Sequence, residues 1–288
     1  MKVASRAKSY FSFFWRVSAL LGVIIMLFSS VSCKKDDLID IRRLDKSRQY
    51  TASGTRIFEF KSDDESYYVR QGAYFDGKYF YAANVAPDLE EREITRIIKL
   101  DTKGRKLSES DPIYVDHANN LSYVPGKGLL VTHCQSKDGH YNRYSFVDIK
   151  TMKVTESGDL EYPFFSMAYS PEVKKYASGE WGGETIDIWD ENMKPILHRS
   201  VEQPGSLSQG VFCDSNGIYF VRSSQNGYGS EIRIYDWDGD LTHTIPLSLD
   251  GDLEPENINI YGKTIYVIAN DWSTRTGAVF TVEITEAE

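Results

Sequence analysis

From Thr55 to the C-terminus, apolar positions fall in short runs of about five residues, punctuated by Gly, Asn and Asp. The runs are rich in Tyr, Phe, Ile and Val, and none holds a helical period for long. Short β-branched and aromatic runs between turn residues predict an all-β chain. The runs also repeat. QGAYFDGKYFYAAN, NNLSYVPGKGLLVTH, FSMAYSPEVKKYASGE, QGVFCDSNGIYFVRS and ENINIYGKTIYVIAN align on Ala73, Leu121, Met167, Val211 and Ile258, at spacings of 48, 46, 44 and 47 residues. Each unit is two apolar strands around a tight turn, such as Asp76-Gly77 or Asn216-Gly217. Asp-Gly and Asn-Gly between apolar runs are strong hairpin signals.

A second motif follows four of the hairpins: RIIKLDTKGRKL, YSFVDIKTMKV, TIDIWDENMKPI and EIRIYDWDGDL. Each is a strand, a turn opened by an acid (Asp101, Asp148, Asp190, Asp236) and another strand. A full unit is therefore four antiparallel strands in about 46 residues, the content of a propeller blade. After the fifth hairpin, AVFTVEIT supplies a third strand. TRIFEF at 55–60 precedes the first hairpin and is the predicted fourth. The sequence predicts a five-bladed β-propeller over residues 55–288, closed by its N-terminal strand, with a six-bladed ring as the alternative. Closure removes exposed sheet edges.

Residues 1–32 read differently. Lys2, Arg6, Lys8 and Arg16 precede an apolar run, Val17–Phe28, and then small residues lead to Cys33. That order predicts a secretory signal, and the run is too short to span a bilayer. Ser30-Val31-Ser32-Cys33 resembles a bacterial lipobox, and Lys34-Lys35-Asp36-Asp37 is similar to the export signal of Bacteroidetes surface lipoproteins. The resemblance implies lipidation at Cys33 and an outward-facing place in the outer membrane. Residues 33–54 are then expected to be a flexible tether.

Composition narrows the partners. The chain has 288 residues and a formal charge of −9; removing residues 1–32 takes four basic residues and no acid, leaving −13. Such a chain is a poor nucleic-acid ligand by bulk electrostatics. We read it as a monomer. With Cys33 assigned to the lipid, Cys134 and Cys213 are expected to be free, buried thiols.

The blades resemble extracytoplasmic propellers of the NHL, YWTD and glutamine-cyclotransferase kind, through Gln71-Gly72, Asp76-Gly77-Lys78-Tyr79-Phe80-Tyr81 and Ile98-Lys99-Leu100-Asp101. Glutamine cyclotransferases carry acidic residues at the channel entries. Here the corresponding residues are Gln71, Asn119, Phe165, Gln209 and Glu256, and only the last is acidic.

Inner-strand starts and second-strand ends of a propeller meet at one channel mouth. Gln71, Asn119, Asn120, Trp181, Gln209, Arg222 and Trp272 are the candidate ligand-binding residues. The loops QSKDGHYNR, GEWGGE, SSQNGYGSE and NDWSTRTG each carry an aromatic ring among amides and hydroxyls, a composition suited to recognition. The leading expectation is a recognition module for a glycan, a peptide or a partner protein. The alternative is an enzyme (hydrolase, lactonase-like or glutamine-cyclotransferase-like) using Glu256 with His117 or His133. A third reading is a structural subunit of an outer-membrane assembly. No zinc spacing is present, and no cofactor is implied beyond a calcium candidate, Asp250, Asp252, Glu254 and Glu256. Asp236–Asp240 begins like an EF-hand loop but occupies the shared outer-turn position.

Overall fold

Twenty-one strands and no α-helix make up the described residues of the computed structural model, which are 38–86, 94–134, 141–180, 183, 185–201, 205–224, 229–251 and 253–287. Cys33, Trp181 and Asp252 lie outside them. No helix among the described residues is long and apolar enough to cross a membrane.

The chain opens with β1 (Tyr50–Phe60). The first repeat gives β2 (Val69–Phe75), β3 (Tyr79–Val85), β4 (Ile94–Asp101) and β5 (Lys106–Glu109), with β6 (Ile113–Tyr114) beside β4. The second gives β7 (Leu121–Val124), β8 (Gly128–Thr132), β9 (Arg143–Val147) and β10 (Val154–Asp159). The third gives β11 (Ser166–Ser170), β12 (Lys175–Gly179), β13 (Thr185–Trp189) and β14 (Pro195–Ser200). The fourth gives β15 (Leu207–Asp214), β16 (Gly217–Ser223), β17 (Glu231–Tyr235) and β18 (Leu241–Ser248). The last gives β19 (Glu254–Tyr261), β20 (Thr264–Asp271) and β21 (Thr276–Glu286).

The first three repeats form separate antiparallel sheets, and the last two share one, in the order β15-β16-β17-β18-β1-β21-β20-β19. β1 runs antiparallel to β21 from Tyr50↔Glu286 to Phe60↔Gly277 and touches β18 in parallel at Ala52↔Leu247. It thus completes the last repeat. The first strands of the repeats contact one another in a cycle, β2 to β7, β11, β15, β19 and back to β2. Both faces of the repeats are covered by neighbours, so inner strands read as unbroken buried runs, as in β16. One interface packs Tyr81, Ala83 and Ile97 on Leu121, Leu129 and Val131; another packs Leu130 and Phe146 on Met167, Tyr176 and Trp189.

The turns have local causes. In every outer hairpin the leading aspartate accepts main-chain N–H bonds. Asp101 Oδ1 takes Lys103 N and Arg105 N, both at 2.9 Å; Asp190 Oδ1 takes Asn192 N at 2.8 Å and Lys194 N at 2.9 Å. Asp236 does the same with Asp238 N and Asp240 N, which fixes it as a turn residue and removes the EF-hand resemblance.

The expected tether needs correction at its C-terminal end. Ile41 sits in a short 3-10 turn, Ile41–Arg43, and is buried with Tyr50, Ala52, Val221 and Ile245. Arg42 bonds Asp214 and the Gly262 carbonyl. One isolated isoleucine and a three-residue alternation are too little apolar pattern to stand out within a polar segment. Cys134 and Cys213 are buried and neither is in a disulfide.

Candidate functional site

Three of the five sites that the repeat alignment makes equivalent share a backbone feature. The inner strands β2, β15 and β19 each shift register against their partners, between Arg70 and Ala73, Ser208 and Val211, and Pro255 and Asn257. Gln71, Gln209 and Glu256 all lie at these shifts. Bulges re-aim side chains and are common beside functional sites. The glycine after each glutamine has a packing reason. A Cβ on Gly72 would sit 2.6 Å from the Ala118 carbonyl oxygen, and one on Gly210 2.5 Å from Asn257 Nδ2. Only glycine allows the adjacent inner strand so close.

Three predicted residues do come together, around one that sequence reasoning gave a different role. Glu254 accepts from Gln209 Nε2 at 2.9 Å and from Trp272 Nε1 at 2.7 Å. Gln209 Nε2 also donates to Ser223 Oγ at 3.1 Å. Trp272 is 51% exposed, so its ring stays available while its N–H is tied to Glu254. Beneath them Glu256 is 1% exposed, and its carboxyl meets that of Glu254. Burial, reinforced by the charge and proximity of Glu254, pushes its carboxyl well above the usual range. Asn119 is equally buried, with both amide atoms unpaired, and Ser166 Oγ is unpaired as well.

The sign of the Glu256 shift gives a prediction. Its folded-state pKa is raised above 4.5. The native state therefore keeps a proton that the unfolded chain releases, and stability is lost as pH rises from about 4.5 toward the folded value. Glu256→Gln keeps the neutral form at all pH. Melting temperatures of the two proteins should agree near pH ~4 and diverge in favour of the variant toward pH ~8. Parallel curves would show that Glu256 is ionised in the fold.

Other candidates are placed elsewhere. Asn120 is not a ligand group: it is fully buried and its amide is consumed by main-chain and side-chain bonds. Its Oδ1 accepts from Val211 N at 2.9 Å and Asn257 Nδ2 at 2.6 Å; its Nδ2 donates to the Met167 carbonyl at 2.7 Å. Asn257 Oδ1 accepts in turn from Asn259 Nδ2 at 2.7 Å, and Asn259 bonds Ala73 O and Phe75 N. These three asparagines link the inner strands of all five repeats. His133 turns away from the acids, with Nε2 2.8 Å from Ser145 Oγ, which meets Ser157. Burial, helped by the Arg143 charge and opposed by Asp159, lowers its pKa to about 4, so it is neutral at pH ~7. His117 is half-buried. Arg222 Nε donates to Ser206 Oγ at 3.1 Å and lies 3.4 Å from Glu231, so it ties the residue before β15 to the start of β17. Gln71 is buried. Of the calcium candidates, Asp252 lies outside the described residues; Asp250 is exposed, Glu256 favours its protonated form, and no three acidic, His or Cys side chains among the described residues gather to hold an ion.

Comparison with known proteins fits this geometry. No family model and no curated protein matches the chain. Among solved structures, Myxococcus xanthus glutaminyl cyclase is similar over 83% of this chain and 100% of its own, with a TM-score of 0.60 at 12% identity. The fold is propeller-like. A nidogen/laminin complex is matched over 75% of this chain and 84% of its own at 13% identity, with a TM-score of 0.46. At such identities the likeness speaks to the fold alone. The propeller-like frame explains why Gln209, Glu254 and Trp272, far apart in sequence, sit at one mouth.

Proposed function

We propose that the chain is a five-bladed β-propeller, anchored by lipid on Cys33 and facing outward from a bacterial outer membrane, that binds a hydroxyl- or amide-rich ligand, a glycan or a peptide, at the mouth where its inner strands begin. The observations that carry this are the buried, unpaired polar atoms of Asn119 and Ser166 and the Gln209–Glu254–Trp272 chain, all on residues at or near the ends of the first two strands of their repeats. Buried polar groups are nearly always satisfied. Those of Asn119, just before β7, and Ser166, which opens β11, suit a ligand that supplies their partners. Soluble protein beginning at Lys34 should be screened on glycan and peptide arrays. Trp272→Ala should weaken the ligand found by ~1–3 kcal/mol; unchanged affinity would remove this mouth from consideration.

A second reading is favoured by the Glu254–Glu256 pair. A carboxyl kept protonated beside a second carboxylate can serve as general acid, and the structural neighbour is a glutaminyl cyclase. Turnover of peptides with N-terminal glutamine, abolished by Glu256→Gln, would establish catalysis in place of simple recognition.

The anchor is tested separately. Cys33→Ala should move the protein from the membrane fraction to the soluble one. Full-length mutant protein that stays with the membrane would mean that Val17–Phe28 is itself the anchor.

A further inference from the structure

The other end of the inner strands carries a second cavity, of about 390 Å³, which the repeat pattern did not single out. Each repeat sends at least one aromatic ring to it from its inner hairpin: Tyr74 with Phe75, Tyr123, Tyr169, Phe212 and Tyr261. Their origin is regular. They lie within the last three residues of the five inner strands. Tyr74 stacks on Tyr123 at 5.8 Å between centroids, and Tyr169 leans on Tyr176 at 4.6 Å. Tyr74, Tyr123 and Tyr169 form no hydrogen bond through their hydroxyls to other described residues. The floor is closed, because Asn259 spends both amide atoms on Ala73, Phe75 and Asn257.

Charge then selects among ligands. Three charged side chains line the cavity: Arg42, Asp214 and Glu172. Arg42 and Asp214 form an ion pair and cancel. Glu172 is exposed at the rim, its carboxylate held by Ser170 Oγ at 2.9 Å, and no cation pairs with it among the described residues. The net charge of the lining is negative, on a chain of net charge −9. Aromatic faces beside a carboxylate attract cations that shed water easily, above all alkylated ammonium groups. Asn259 is spent and Asp214 is paired, which leaves Glu172 as the unpaired charge of the lining among the described residues.

We propose that this cavity binds an organic cation, an ammonium group with small alkyl substituents, between the tyrosine ring and Glu172. The site is independent of the mouth that holds Trp272.

The test is titration of the soluble protein with choline and with its neutral isostere 3,3-dimethylbutan-1-ol, read by calorimetry. Choline should bind saturably, and the isostere about tenfold more weakly, the size of a desolvated cation–π contribution. Glu172→Gln and Tyr169→Ala should each weaken choline several-fold. Tyr123→Phe, which keeps the ring and the fold, should retain it, and Trp272→Ala should leave it unchanged. Equal binding of choline and the isostere, saturable glucose binding in place of choline, no saturable binding of choline, or choline affinity unmoved by both Glu172→Gln and Tyr169→Ala would each overturn the proposal.

Discussion

A chain beginning at Lys61, and so lacking β1, is expected to lose its cooperative fold. β1 is paired with β21 along its length and joins that strand to β18, making it the link between the last two repeats. Without it β21 presents an unpaired edge, a template for association with other chains. Phe60, Tyr50 and Ala52 also leave the core. Removing one buried Phe costs ~3–5 kcal/mol, against a total stability of about 5–15 kcal/mol for a folded domain. A chain beginning at Thr55 keeps the pairing from Thr55 to Phe60 but loses Ile41, Tyr50 and the Arg42–Asp214 pair. It should melt cooperatively at a lower temperature. Size-exclusion chromatography and thermal melts separate the outcomes: aggregate for the Lys61 start, a destabilised monomer for the Thr55 start, and recovery of the first by adding a peptide of residues 39–60. A Lys61-start chain that melts as a monomer at the full-length temperature would show that β1 does not close the sheet.

The hairpins were legible because their causes are local. Asp76 fixes the first turn by accepting from Lys78 N at 2.8 Å and Tyr79 N at 2.6 Å, and four outer aspartates repeat the device. Such chemistry lies within a few residues and can be read from spacing. The strand donated by residues 55–60 was legible as well, since the last repeat is one strand short. What a single sequence could not show is which open strand edge a polar side chain meets. An innermost strand has a neighbour on one side only, so its other edge presents N–H and C=O groups toward the axis. Asn120, Asn257 and Asn259 answer those edges, on Val211, Met167, Ala73 and Phe75. In the sequence Asn120 looks like a ligand residue, because an amide that binds a strand edge and one that binds a peptide are the same residue. Glu254 was misread for a related reason. Four acids in seven residues suggest an ion, but bulging of β19 buries Glu256 while Glu254 turns to Gln209 and Trp272.

Asn120 should therefore be a structural residue, and its replacement should cost more than that of any ligand-binding residue at the mouth. Asn120→Ala leaves Val211 N–H and Asn257 Nδ2 without their acceptor, and the Met167 and Val211 carbonyls without their donor. Each buried orphan costs about 1–3 kcal/mol. Water entering the space left by the amide recovers part of this, so the net loss should be on the order of 3–5 kcal/mol. At roughly 2–4 °C per kcal/mol for a domain of this size, the melting temperature falls by about 6–20 °C. Asn120→Asp is the sharper probe. It keeps Oδ1 but sets a second oxygen against two carbonyls and buries a charge. It should be at least as destabilising as alanine at neutral pH and should recover below pH ~4, where the carboxyl regains a proton and can donate. Calorimetry of the three proteins across that range reads the difference. If Asn120→Ala melts with the parent while ligand affinity falls, the asparagine chain does not hold the inner strands together and Asn120 returns to the binding site.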